Sequence, residues 1–247
     1  MGPFTNAPDL RPLLPKRCHN IPTLSASFPQ GILLLCVGPK EERTEFPVHK
    51  HLLCAKSPYF AAACDRYFRP DLDNCIFMYE EHPEIMEFFI DWVYGHPMFV
   101  LKPESTTSEV LLKCRLYAVA NRLRVEILKN EIVDEIFQFL KANQANGAAM
   151  FCLVRLHGRI PIKCNLRSML MDAAMDDWTN FDIDEYYKDG AFNNKLSWLA
   201  KLLGRVDFSS DFELRCVQWL SGFKNSLFYR HTPCYYHDHE ETPRCKI

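Results

Sequence analysis

Residues 46–60 read Phe46-Pro47-Val48-His49-Lys50-His51-Leu52-Leu53-Cys54-Ala55-Lys56-Ser57-Pro58-Tyr59-Phe60. Three signals lie side by side in them. Thr44 to Val48 is short and extended in character, a returning strand. After His49 comes an apolar helix start. Ser57-Pro58 opens a further helix. The serine hydroxyl can accept from an orphan amide of the first turn, and proline at the first helical position gives up an N–H that would have no partner anyway.

The flanks extend the pattern. Upstream, Ile32-Leu33-Leu34-Leu35-Cys36-Val37 is a strand-sized apolar run, and Gly38 to Arg43 is its turn. Downstream, Cys75 to Tyr79 reads as a third strand. Pro83 then opens the best-patterned helix of the chain, with Ile85, Met86, Phe88, Phe89, Trp92 and Val93 on one wide apolar stripe. Gly95 and Pro97 stop it. Thr106-Thr107-Ser108-Glu109 has capping-box spacing and starts the helix that runs to Arg122. Another begins near Arg124, with Val125, Leu128, Ile132, Val133, Ile136, Phe137 and Leu140 inward.

Asn143 to Gly147 is a polar break. Beyond it the chain reads as all-helical, with stripes at Leu166/Met169/Leu170/Ala173/Ala174, at Leu196/Leu199/Leu202/Leu203, and at Phe208/Phe212/Cys216/Trp219/Leu220/Phe223. Residues 1–27, with five prolines and no periodicity, read as a disordered arm. The expected organisation is therefore an arm (1–27), an α+β domain (28–141), a helical region (148–230) and a tail (231–247) without helical period.

Composition narrows the function. The 247 residues are 48% apolar and 24% charged, with a net charge of −2. This is a globular balance that lacks the basic footprint of a nucleic-acid binder. No apolar run approaches the ~20 residues of a membrane span, and the N-terminus lacks a secretory core. Eleven cysteines, an odd number spread along the chain, suit reduced thiols. The expected location is the cytoplasm or nucleus.

The 46–60 segment resembles the central signature of the BTB/POZ domain: a strand ending in a Val-His step, a short leucine helix, then Ser-x-Tyr/Phe-Phe. Pro83 to Tyr94 is similar to that family's hydrophobic helix ending in a Val-Tyr step. Leu116-Tyr117-Ala118-Val119-Ala120-Asn121-Arg122-Leu123 is similar to its Tyr-x-Leu-Ala-Asp-Lys-Tyr segment. The combination with a helical C-terminal half resembles the short BTB proteins of filamentous fungi. The resemblance implies a three-stranded sheet decorated by helical hairpins and a protein-binding role. Many members bridge a cullin-type ubiquitin ligase scaffold to substrates, and others act in transcriptional complexes. Two departures stand out. Gln30-Gly31 replaces the usual Ser-Asp ahead of the first strand, and the helix and strand that build the swapped dimer of longer members are missing before Phe28. Self-association is accordingly expected to be weak or absent.

Candidate partner-contacting residues are Glu87, Asp91, Tyr94, Met98 and Phe99, on and just beyond the Pro83 helix. The loop from Gly95 to Glu104 offers Met98 and Phe99 but no acid two residues after either, which weakens a cullin-adaptor reading. Phe99, Val100 and Leu101 could form an exposed pairing edge. His49 is expected to be a buried, satisfied histidine and Ser57 a helix cap. No Walker loop, dinucleotide fingerprint or zinc-protease motif occurs.

Near the C-terminus stand Cys234, His237, His239 and Cys245, with His231 just before them. Thiols and imidazoles are the ligands zinc prefers, and four can close a tetrahedron. The spacing matches no common zinc module, so a tail packed by Tyr235 and Tyr236, with no cofactor, is the primary expectation. Zinc binding is the alternative. A metal-dependent enzyme using this cluster with Glu240 is the competing function class.

Overall fold

The computed structural model describes residues 31–67, 75–143, 147–156, 158–161, 163–179, 228 and 231–245. The arm at 1–27 and the helical stripes at 196–203 and 208–223 lie outside these residues. The fold is α+β. Its sheet has the order β2-β1-β3. Strand β1 (Ile32–Val37) runs antiparallel to β2 (Thr44–His49) and parallel to β3 (Cys75–Met78). The unbroken apolar run of β1 explains its central place: Leu33, Leu35, Cys36 and Val37 are all buried, as a strand covered on both faces requires. Strand β2 buries only Val48 and carries Pro47, a residue that edge strands tolerate. At the β1–β2 turn Gly38 has φ +97°. A Cβ there would stand 3.3 Å from the Glu42 carbonyl and 3.4 Å from Pro83 Cγ.

Helix α1 (Lys50–Lys56) leads directly into α2 (Pro58–Tyr67). Between them Ser57 is fully buried. Its hydroxyl accepts from the Phe60 amide at 3.4 Å and donates to the Leu123 carbonyl at 2.7 Å. The cap therefore also ties α2 to Leu123, 66 residues further along the chain. Helix α3 (Pro83–Val93) buries Ile85, Met86, Phe89, Trp92 and Val93. Helix α4 (Thr107–Arg122) starts in the expected capping box. Thr106 Oγ1 accepts from the Glu109 amide, and the Glu109 carboxylate accepts from the Thr106 amide at 2.6 Å. Helix α5 (Glu126–Ala142) follows after Arg124, which has φ +57°.

Helices α6 (Ala148–Arg155) and α7 (Asn165–Thr179) lie beyond the polar break. Among the described residues their apolar side chains join the core of the first half. One apolar cluster runs from Leu33 through α3, α4 and α5 to Leu153, Met169 and Leu170, and on to Phe228 and Tyr236. Among the described residues no helix is long and apolar enough to cross a membrane. No disulfide occurs among the described cysteines.

Two expectations need correction. His49 is exposed rather than buried. It stands where β2 leaves the sheet, and it is satisfied from outside: Tyr94 Oη lies 2.8 Å from its Nδ1 and accepts from its amide at 3.1 Å. Residues 99–101 form no edge strand. The Phe99 ring packs against Phe88 and beneath the Lys113 ammonium, 4.5 Å away, and the Leu101 amide donates to Glu135.

The α3 stripe should dominate the stability of this half. Phe89 is fully buried. Trp92 stacks on it, donates its indole N–H to Glu131 at 2.7 Å and lies under the Lys56 ammonium. Phe89→Ala or Trp92→Ala is expected to lose about 3–5 kcal/mol, measured by urea unfolding. Wild-type-like unfolding of either variant would show that the face is assigned wrongly.

Candidate metal centre and partner surface

The tail has little regular structure beyond a 3-10 turn at Pro233–Tyr236, so side chains from α5 and α7 must satisfy its backbone. Glu126, Asn130 and Asp134 recur every four residues and make one stripe along α5. The Glu126 carboxylate accepts from the amides of Glu240, Glu241 and Thr242 at 2.8–3.0 Å and from the Thr242 hydroxyl. Asn130 bonds the Asp238 amide and carbonyl, both at 2.9 Å. Asn165, at the start of α7, donates to the His237 carbonyl and the Asp238 carboxylate, which also meets Lys129.

The expected aromatic packing of the tail is present, on one tyrosine of the two. Tyr236 is buried against Phe137 and Phe228, and its hydroxyl donates to Asp172 at 2.8 Å. Tyr235 is 62% exposed and stacks on His231 at 3.7 Å. That stacking holds His231 apart from the other Cys and His residues of the tail, and burial lowers its pKa.

With the tail held in this way, Cys234, His237, His239 and Cys245 converge. One ligand atom from each lies within 4.8 Å of all the others. His239 Nε2 is 3.4 Å from Cys234 Sγ, and His237 Nδ1 is 3.2 Å from Cys245 Sγ. The other nitrogen of His237, Nε2, faces Asp134 at 3.0 Å. The Cys245 thiol and His239 beside it draw Cys234 below the ordinary thiol range, whereas Cys234 pushes Cys245 up. Glu240 is exposed and does not join the cluster; its amide is held by Glu126.

The partner-contacting candidates divide. Glu87 and Tyr94 are exposed. Asp91 is half-buried, 3.2 Å from the His96 ring. Met98 and Phe99 are half-buried and packed inward. The prominent apolar residue of this loop is Val100, 63% exposed, and Tyr59 at the start of α2 is 39% exposed.

Comparison with known proteins assigns a family to the stretch that holds these strands, the Ser57 cap and the α3–α4 pair. A BTB/POZ domain family model matches residues 34–134. The chain carries a BTB/POZ domain. Over 56 residues it is 36% identical to Kelch-like protein 25 of Xenopus laevis, a stretch covering 22% of this chain and 10% of the relative. The chain thus spans about a tenth of the length of the curated relative it matches. A BTB/POZ domain is a protein-interaction module, and its matched span here ends at Asp134, the residue that touches His237.

Tail docking on the BTB/POZ half should be acid-sensitive. Burial raises the Glu126 pKa, but the bonds from Thr242 and from the amides of Glu241, Thr242 and Glu240 outweigh it and leave the group lowered. A carboxyl held low contributes stability that is complete above its unfolded value of about 4.3 and is lost as pH falls through the folded value. Hydrogen exchange at residues 240–242 should therefore accelerate only below the ordinary carboxylate range. Glu126→Ala should loosen the same amides at neutral pH by about 1–3 kcal/mol.

The two tyrosines give a second test. Tyr236→Ala should destabilise the protein by about 3–5 kcal/mol. Tyr235→Ala, at an exposed position, should stay within about 0.5 kcal/mol in thermal unfolding. Equal effects would contradict the tail packing.

Proposed function

We propose that the chain is a non-enzymatic adaptor whose BTB/POZ half docks on a protein scaffold, the first candidate being a cullin-type ubiquitin ligase scaffold. The observation that carries this reading is the BTB/POZ match over residues 34–134. Exposed apolar side chains on that half support it: Tyr59, Tyr94 and Val100 offer the kind of aromatic and aliphatic anchors on which interfaces concentrate their energy. Glu87 adds a charge to the rim of the same helix–loop region.

A contact that needs an acid two residues after a hydrophobic one has no match here, since Phe99 is pinned inward and the first acid of the loop is Glu104. Contact through Val100 and Tyr94 is the arrangement that remains. Self-association through the sheet is disfavoured, because the β2 edge carries Pro47 and the exposed Glu45. The four protein donors of the Cys/His cluster leave no open position for a substrate or water, which argues against the metal-enzyme class.

Pull-down of the full chain on a purified cullin scaffold should show binding at micromolar concentration. Val100→Asp should weaken it about tenfold or more, a loss of about 1.4 kcal/mol or more, with unchanged thermal unfolding. Absence of binding at that concentration would remove the cullin reading and leave the transcriptional-complex role. Light scattering should return a monomer in the low micromolar range.

A further inference from the structure

We propose that Cys234, His237, His239 and Cys245 form a closed structural zinc site that staples the C-terminal tail to helix α5. The geometry carries this assignment. A tetrahedral zinc with Zn–S of ~2.3 Å and Zn–N of ~2.0–2.1 Å separates neighbouring sulfur and nitrogen ligands by about 3.5 Å and two sulfurs by about 3.8 Å. The sulfur–nitrogen pairs here stand 3.4 and 3.2 Å apart, and the ligand atoms of all four residues fall within 4.8 Å of one another. Four side chains whose donor atoms converge this closely, two of the pairs at tetrahedral edge length, are placed for a small cation.

The surroundings are built for the same purpose. The His237 side chain is only 6% exposed. With Nε2 donating to Asp134, its Nδ1 lone pair is left facing Cys245 Sγ. A carboxylate behind a ligating histidine fixes the tautomer and ring orientation that a metal needs. His239 turns Nε2 into the cluster, 3.4 Å from Cys234 Sγ, while its other ring nitrogen, Nδ1, is buried on the far side of the ring.

The donor set selects the metal. Two thiolates and two imidazoles in tetrahedral array suit zinc, whereas magnesium and calcium prefer oxygen ligands. All four positions come from the protein, so the site is structural. On binding, both thiols lose their protons to solvent and the zinc keeps its charge state, so no oxidant or reductant is required. Because the ligands span Cys234 to Cys245 and Asp134 belongs to α5, binding free energy becomes folding free energy of the tail.

The test uses the full chain purified from zinc-supplemented culture. Elemental analysis should find one zinc per chain. Co2+ added to the chelator-treated protein should give the visible bands of a tetrahedral thiolate–imidazole site. Hydrogen exchange over residues 231–245 should rise on chelation, while residues 32–93 are unchanged. Cys245→Ser, at an exposed position near the end of the described tail, should lose the cobalt spectrum without unfolding the protein. Asp134→Asn, which removes no ligand, should weaken Zn2+ binding about 10–100-fold.

The proposal is overturned by the absence of stoichiometric zinc together with an octahedral or absent cobalt spectrum. Zinc retained in full by the Cys234→Ser/Cys245→Ser double variant would overturn it equally, since the metal would then lie elsewhere.

Discussion

The ammonium of Lys113 has no exposure to solvent, and a charge so placed must be paired. Its partner is Glu135, 2.8 Å away on α5, and that pairing sets how α4 and α5 are rotated against each other. Once Glu135 faces Lys113, every other position of α5 is assigned. Leu128, Ile132, Ile136 and Leu140 enter the core. Glu131 reaches the Trp92 indole. Glu126, Asn130 and Asp134 are left on the stripe that receives the tail. Glu135 also takes the Leu101 amide, and Lys113 covers the Phe99 ring, so the loop beyond α3 is held by the same pair. Removing Glu135 would leave the Lys113 charge buried without its carboxylate, which is why this contact governs more of the fold than its single ion pair suggests.

The tail follows from that rotation. A segment of about fifteen residues with one short turn cannot satisfy its own amides and carbonyls. Here α5 and α7 supply the missing partners: Glu126 for three consecutive amides, Asn130 and Asn165 for the carbonyls and carboxylate around Asp238. Tyr236 adds buried apolar surface next to Phe137 and Phe228. The Cys/His convergence is thus reached by a chain already bound along its length. That ordering lets residues with no standard zinc spacing bring their donor atoms within 4.8 Å of one another.

What was legible in the sequence was local. The β1 run, the Ser57 cap, the Pro83 stripe and the Thr106–Glu109 box each declare themselves within a few residues, and all four are present in the structure. The cluster of Cys234, His237, His239 and Cys245 was also readable, because residue type and nearness in sequence suffice to nominate it. What could not be read depended on distance along the chain. Glu126 meets Thr242 and Asp134 meets His237 across more than a hundred residues. On α5 those acids look like ordinary solvated positions. Their only advance signal was the polar residue at every fourth place. His49 was misplaced because composition around it looks apolar, while the end of an edge strand is open to solvent. Tyr235 and Tyr236 were indistinguishable without the turn that sends adjacent side chains in different directions. Phe99 looked available because nothing nearby in sequence reveals that Lys113 and Phe88 enclose it.

Helix α5 thus touches both the loop region proposed to meet a scaffold, through Glu131 and Glu135, and the tail proposed to hold zinc, through Glu126 and Asp134. A shared helix invites the idea that one end controls the other. Such coupling needs an element with two discrete arrangements that both sites bias. Helix α5 does not offer one: an apolar stripe and the ion pair with buried Lys113 fix its rotation, and a shift would strand the Lys113 charge. Between two sites on a rigid support, changes at one are absorbed locally. The tail can therefore dock or release without moving Trp92 or the 94–101 loop. On this argument the proposed zinc site would act as a staple, setting how long the C-terminal segment stays in place over the Phe137–Tyr236 packing, and the proposed recognition surface on the BTB/POZ half would be the same whether the staple is closed or open.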